Sequence, residues 1–354
     1  MENKIKAVII DDSAFMRKAI SIMLEDDDVI EVVGTAKNGL EGYEMVKSLS
    51  PDVVTLDIEM PVMDGLTALE KIMKDCPTSV LMVSSLTTEG AESTMRALEL
   101  GAVDFIPKEL SYVNVNIINI KDELVRKVKA IVQQRSFRNR LRAAQSKSPG
   151  LMGDKVATRR GKLPKSDYNA VALGVSTGGP MSLQKVIPRI RKDIKQPIFI
   201  VQHMPPKFTK SLADRLDNLS EVHVKEAEHG EIIKAATVYI APGGSHMTFK
   251  KSGSGVTIIL SDTPSDTLHR PSVDVMMNSA IDIYGKKMLG IIMTGMGKDG
   301  LEGISRLKKL GGYCLAQNEE SCVVYGMPRA IVDNNYADAV TPLESIADVV
   351  NEVL

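Results

Sequence analysis

Runs of β-branched and apolar residues, each only four to seven residues long, alternate with helix-patterned segments over most of the chain. That alternation restricts it to parallel sheets joined by crossover helices. In the first 120 residues the runs fall at 6–10, 30–35, 53–56, 79–83 and 103–106. Five such strands fit one compact doubly wound domain, whose ligands sit at the carboxyl ends of the strands. A second alternating stretch starts at Asn169, with runs at 170–175, 197–202, 237–241, 256–260, 288–294 and 312–316. Several of these are continuously apolar, as strands covered on both faces are. Between 222 and 261 the elements are shorter and broken by PGGS and KSGSG, which predicts an antiparallel hairpin added to the sheet. The fold class is therefore α/β, with two doubly wound, mostly parallel-sheet domains. A length of 354 residues suits that number, at about 100 to 200 residues per domain.

Between the two stretches, residues 121–142 read as a basic helix, followed by AAQSKSPGLMGDKVATRRGKLPKSDY, a segment of Gly, Pro, Ser and charge with no apolar period. We expect domains at 1–122 and 169–354, joined by this helix and a flexible linker over 123–168. The formal net charge of −1, from 44 basic and 45 acidic side chains, argues against a nucleic-acid binder. The total conceals an uneven distribution. Residues 1–120 carry 10 basic and 21 acidic side chains, 121–168 carry 14 and 4, and 169–354 carry 20 and 20. A DNA-binding regulator with a basic segment stays open on charge alone, but no helix-turn-helix pattern follows. Cys76, Cys314 and Cys322 have no metal-ligand spacing and their odd number argues against a disulfide framework. The N-terminal residues show no leader pattern, and no run approaches the roughly 18 apolar residues of a membrane span. These features predict a protein of the cytoplasm, not embedded in a membrane.

In the first domain, Asp11 and Asp12 end the first strand, Asp57 the third and Ser84 the fourth, and Lys108 follows the fifth. A doubly wound sheet brings these strand ends to one edge. Three carboxylates placed together repel unless a cation lies among them, and an all-oxygen cluster suits Mg²⁺. Such a cluster offers a carboxylate nucleophile, a metal to neutralise a phosphoryl group, and Lys108 and Ser84 to bind its oxygens, which supports phosphoryl transfer onto Asp57. Aspartates at strand ends also serve as turn residues or helix caps, the competing reading for any one of them.

VIIDDSAFMRKAI, VVTLDIEMPVMDGLTALEKI, VLMVSSLT and GAVDFIPK resemble the four blocks of two-component response-regulator receiver domains over the first 120 residues. The resemblance implies a flavodoxin-like fold and phosphorylation of Asp57 by a histidine kinase. It implies Mg²⁺ ligation by Asp12, Asp57 and the carbonyl of Glu59, with Asp11 acting through water, and makes Ser84 and Phe105 a switch pair. Many receivers carry Thr where this chain has Ser84, which keeps the hydroxyl.

In the second domain the strand AVALGVS runs into TGGP and a helical pattern, so Gly174-Val-Ser176-Thr-Gly178 has the G-x-S-x-G form in a strand-turn-helix context. Such a turn exposes the serine hydroxyl and aims helix N-terminal amides at a developing oxyanion. His203 ends the next strand, and Asp299 lies beyond the run at 288–294. The order Ser, His, Asp disfavours the α/β-hydrolase fold, whose order is Ser, Asp, His; triads are defined by geometry, so a serine hydrolase survives. Alternatives remain on the residues alone. The glycine-rich turn could cradle a phosphate. His223, His229, His246 and His269 compete with His203 as base, and Asp262 and Asp274 with Asp299; His229 and His246 look solvated in charged or Gly-rich loops.

LGVSTGGP, FIVQHMPPKFT, YIAPGGSHM, HRPSVDVM, GIIMTGMGKDG and YGMPRAIV resemble the catalytic domain of the chemotaxis protein-glutamate methylesterase family over nearly all of 169–354. The resemblance implies a Rossmann-like domain with Ser176 as nucleophile, His203 as general acid/base and Asp299 orienting it. The amides of Thr177 and Met296 become oxyanion or substrate groups. The expected activity is hydrolysis of glutamate methyl esters, and deamidation of glutamines, on the cytoplasmic domains of chemoreceptors, activated by phosphorylation. The hydrolase chemistry itself needs no cofactor. In the resting state the receiver would cover the strand edge carrying Ser176. A catalytically dead receptor-binding module is the competing class.

Overall fold

A computed structural model of the chain describes residues 4–108, 116–147, 163–253 and 255–354. Two compact units divide it, Met1–Phe137 and Arg138–Leu354.

In the first unit strands and helices alternate strictly: β1 (Ile5–Ile10), α1 (Ala14–Glu25), β2 (Ile30–Ala36), α2 (Gly39–Leu49), β3 (Val53–Asp57) and α3 (Gly65–Asp75). Then come β4 (Ser79–Ser84), α4 (Thr88–Glu99), β5 (Asp104–Pro107) and α5 (Asn116–Lys147). All strands are parallel in the order β2-β1-β3-β4-β5. The sequence carries the start signals: Ser13, Asn38, Asp64 and Thr87 each accept a hydrogen bond from the amide three residues on, at the first turns of α1 to α4. Gly65 is required where α3 begins, because a Cβ there would lie 1.9 Å from the Asp57 carbonyl oxygen. β3 and β4 are buried throughout, the reason for their continuously apolar sequences.

Helix α5 extends beyond both ends of the predicted basic helix at 121–142. Its first half is pinned to β5 by Lys127 on Asp104 at 2.9 Å and to the turn between α1 and β2 by Lys129 on Asp27 at 2.7 Å. Most of the expected flexible linker, 148–162, lies outside the described residues.

The second unit holds a seven-stranded sheet and a separate hairpin. Its elements begin with β6 (Ala170–Val175), α6 (Gly179–Val186), β7 (Ile198–Gln202), α7 (Phe208–Leu219), β8 (His223–Glu226) and β9 (Thr237–Ile240). The hairpin is β10 (His246–Ser252) and β11 (Gly255–Ser261), antiparallel as expected. There follow α8 (Val273–Tyr284), β12 (Met288–Ile292), α9 (Leu301–Lys309), β13 (Tyr313–Gln317), α10 (Met327–Asp333), β14 (Ala339–Thr341) and α11 (Leu343–Val353). The sheet order is β14-β13-β12-β6-β7-β9-β8, all parallel. From β6 the chain winds outward through β7, then returns to β12 on the other side. The strand order thus reverses beside β6, and a crevice opens outside the strand ends at such a point. Phe199, Phe249 and Met276 are among the residues that fill the core on one face of this sheet, with the Phe199 and Phe249 rings 4.3 Å apart.

β8 and β14 escaped the sequence reading. Both are edge strands, of four and three residues, too short for a period to appear.

Candidate functional site

At the carboxyl edge of the first sheet, Asp57 is the last residue of β3 and Asp11 follows β1. Carboxylate oxygens of Asp11, Asp12 and Asp57 lie within 4.8 Å of one another. Lys108, just past β5, places its ammonium 2.7 Å from Asp57 and 3.2 Å from Asp11. Asp57 also accepts from the Ile58 amide at 2.7 Å. Burial raises the Asp57 carboxyl to about 6, Lys108 opposing and the charge of Asp11 adding to the rise. Burial likewise raises Asp11, against the pull of Lys108. One ammonium facing three acids leaves the cluster short of positive charge. Its hard oxygen donors fit a divalent cation of the Mg²⁺ type.

Arg17, which sequence reading missed, donates to the carbonyls of Asp11 and Asp12 at 2.7 and 2.9 Å and fixes the turn that carries both acids. Glu59 is exposed two residues beyond Asp57. Ser84 is buried at the end of β4, with its hydroxyl turned toward α4: it donates to Gly90 O at 3.1 Å and accepts from Thr94 Oγ1 at 2.7 Å. Phe105 is buried in β5, where the Lys127 ammonium donates to its carbonyl at 2.9 Å and lies 5.8 Å from its ring centroid.

In the second unit β6 ends at a sharp turn. Gly178 adopts φ +73°, and a Cβ there would also meet Val323 at 2.4 Å, so only glycine fits. Ser176 sits in that turn, half-buried. Its amide donates to Thr294 O at 3.0 Å, and its carbonyl accepts from Gly179 N and Gln202 Nε2 at 2.7 and 3.1 Å. Thr294, past β12, donates to Thr177 O at 3.0 Å and accepts from the Val323 and Val324 amides, which ties the serine turn to the strand ends on its other side. Among the described residues, the amides of Thr177 and Met296 donate to no backbone carbonyl.

His203 follows β7. Its Nε2 lies 2.8 Å from Asp299 Oδ2, and its Nδ1 is buried with no partner among the described residues. Asp299 is held by the start of α8: Ser272 Oγ and Asp274 N donate to Oδ1 at 3.0 and 2.9 Å, and Val273 N to Oδ2 at 2.7 Å. Burial alone would raise the Asp299 carboxyl. The hydrogen bond and charge of His203, with the Asp274 and Val273 amides, outweigh it and hold the group well below the usual carboxylate range. An ionised carboxylate on Nε2 fixes that nitrogen as the donor and leaves Nδ1 as a base.

The competing residues lie otherwise. His223 is exposed and meets Asp217 at 2.9 Å; His229 is exposed against Leu260 O at 3.1 Å. Asp262 is exposed, and Asp274 accepts from Gly303 N at 2.8 Å. His269 stacks on His203, centroids 4.0 Å apart. The expectation that His246 is solvated is corrected: its exposure is 0%, because the loop after β11 folds over it. Burial lowers its pKa. Ser272, which sequence reading missed, carries only the signal of a helix cap before α8; its hold on Asp299 depends on a contact across 27 residues.

An acidic cluster at the strand ends of one α/β unit and a glycine-rich serine turn near a His–Asp pair in the other are the layout of a receiver domain joined to a hydrolase domain. The sequence model described as CheB methylesterase matches residues 171–350, and that described as response regulator receiver domain matches residues 7–116. The chain is 50% identical to a protein-glutamate methylesterase/protein-glutamine glutaminase 1 of Oleidesulfovibrio alaskensis, covering 98% of each chain. It is 43% identical to a protein-glutamate methylesterase/protein-glutamine glutaminase of Pyrococcus horikoshii, over 99% of this chain and 94% of that one. Among solved structures, the CheB methylesterase catalytic domain of Thermotoga maritima is similar at 45% identity and a TM-score of 0.51, over 53% of this chain and 99% of that one. The chain belongs to the CheB methylesterase family and carries the receiver domain in front of the esterase domain.

Proposed function

We propose that this protein hydrolyses glutamate methyl esters and deamidates glutamines on the cytoplasmic domains of chemoreceptors, with Ser176, His203 and Asp299 as its triad, and that phosphorylation of Asp57 by a histidine kinase activates it. The observation that carries the reading is the His203–Asp299 bond of 2.8 Å with a buried, unpartnered Nδ1 at the sheet edge that also bears Ser176. In the reaction, His203 Nδ1 accepts the hydroxyl proton as Ser176 Oγ attacks the γ-carbonyl. The amides of Thr177 and Met296 receive the oxyanion. Collapse expels methanol, or ammonia from glutamine, protonated by His203. Water then attacks the acyl-enzyme, with His203 again as base, and frees glutamate and the serine. Asp299 steadies the imidazolium in both halves.

On the receiver, Asp12, Asp57 and the Glu59 carbonyl would hold Mg²⁺, with Asp11 acting through water; when bound it supplies positive charge against the three acids and the arriving phosphoryl group. Asp57 attacks the phosphorus of the kinase's phosphohistidine, the P–N bond breaks and the imidazole leaves, and Lys108 binds one of the transferred group's oxygens. Ser84 leaves its α4 partners to bind another, with Phe105 completing the switch. Before phosphorylation the receiver restrains the esterase domain. The activity is placed in the cytoplasm, where kinase and receptor tips meet.

The test is methanol release from methylated receptor membranes, with and without a small phosphodonor. Ser176→Ala should fall to background while still taking up phosphate at Asp57. Wild-type turnover in that variant would overturn the assignment.

A further inference from the structure

The His203 ring is gripped twice by one short segment. Asp299 holds its edge at Nε2, and Asp299 is itself fastened by Ser272, Val273 and Asp274. Three residues before Ser272, His269 lies flat on the ring, with centroids 4.0 Å apart and planes 21° from parallel.

The segment cannot easily shift, because buried His246 holds it on both sides of His269. Its Nε2 lies 3.1 Å from both Pro264 O and Thr267 Oγ1, and its Nδ1 accepts from the Ser272 amide at 3.2 Å. An Nδ1 that accepts from an amide carries no proton, so Nε2 is the protonated nitrogen and donates. The Gly244 amide adds a bond to Arg270 O at 3.0 Å.

We propose that His269 is a positioning residue for the hydrolysis, a flat support that stops the His203 ring from rotating about its bond to Asp299; the proposal rests on the triad reading above. A single N–H···O bond fixes one nitrogen and leaves the ring free to swing. The nitrogen that swings is Nδ1, which must meet the serine proton. Displacing it by about 1 Å is enough to cost on the order of 100-fold in turnover. A stacked face removes that freedom without occupying Nδ1. His269 touches no reacting atom in this role. Its face, not its nitrogens, does the positioning.

The experiment measures kcat and KM for methanol release by the full-length protein with a phosphodonor present. His269→Ala should lower kcat by about 10- to 100-fold and leave KM within about twofold. His269→Phe, which keeps a flat ring, should restore kcat to within about threefold of the parent. Three results would overturn the proposal: a parental kcat in His269→Ala, a His269→Phe as slow as His269→Ala, or a raised KM at parental kcat. If His269→Ala is unfolded at the assay temperature, His269→Gln reads the same contrast, keeping polarity without a ring. Ser176→Ala measured alongside separates this from the triad: turnover there removes the triad itself, whatever the His269 variants do.

Discussion

Asp57 holds its proton to about pH 6, against 3.8 for a free side chain, because burial at the end of β3 outweighs the Lys108 ion pair. The folded receiver therefore binds a proton that the unfolded chain has released between these values. Stability falls as pH rises from about 4 to about 6. Without divalent metal, Asp57→Asn should melt above the parent at pH 7, and the difference should close near pH 4; a constant difference across that range would contradict the assignment. Adding Mg²⁺ should raise the parent's melting temperature more at pH 7.5 than at pH 5, where Asp57 must first lose its proton. The acids, Ser84 and Lys108 were legible because each ends or follows a strand, and a doubly wound sheet gathers its strand ends. Ser176 was legible from its glycines. Residue pattern alone does not single out His203 among the five histidines, since neighbouring strands meet only through the sheet order; the family resemblance is what picks it. His246 misled for a related reason: a histidine after two glycines reads as a loop residue, and its cover comes from the loop after β11, some twenty residues further on.

At the scale of elements, α5 is fastened to β5 by a nearly buried pair, Lys127 on Asp104, with side-chain exposures of 12% and 5%. Removing one partner strands the other charge. Lys127→Met should destabilise the receiver by about 3 to 5 kcal/mol in urea unfolding at pH 7, and pairing it with Asp104→Asn should recover most of the loss. An additive double variant would show that the two side chains act independently. Most strands could be read from apolar runs, and α1 to α4 from their caps. The length of α5 could not. Its first half carries a short buried stripe, Leu124, Val128 and Ile131, besides ion pairs whose partners lie far away in sequence, but beyond Gln134 the sequence turns basic and has few apolar residues to mark how far the helix continues. The edge strands β8 and β14 gave no signal because so few residues of each are buried.

For the whole molecule, the charge total of −1 hides an acidic receiver, a basic connector and a neutral esterase domain. The division between the two units falls between Phe137 and Arg138, within the residue range of α5. Deleting residues 1–140 should raise phosphodonor-independent methanol release several-fold over the unphosphorylated parent; equal or lower release would count against restraint by the receiver. Ser176 and His203 directly follow β6 and β7, and Asp299 lies beyond β12; these three strands are hydrogen-bonded neighbours in the middle of the sheet. Central strands open only when a domain unfolds as a whole, whereas edges and loops fray earlier. Backbone amides of β6, β7 and β12 should thus be the slowest in the esterase domain to exchange with deuterium. On heating, esterase activity should survive fraying of β8 and β14 and disappear with the cooperative transition. Heat would then take away activity and fold in one step, leaving no partly unfolded esterase domain for a cell to accumulate.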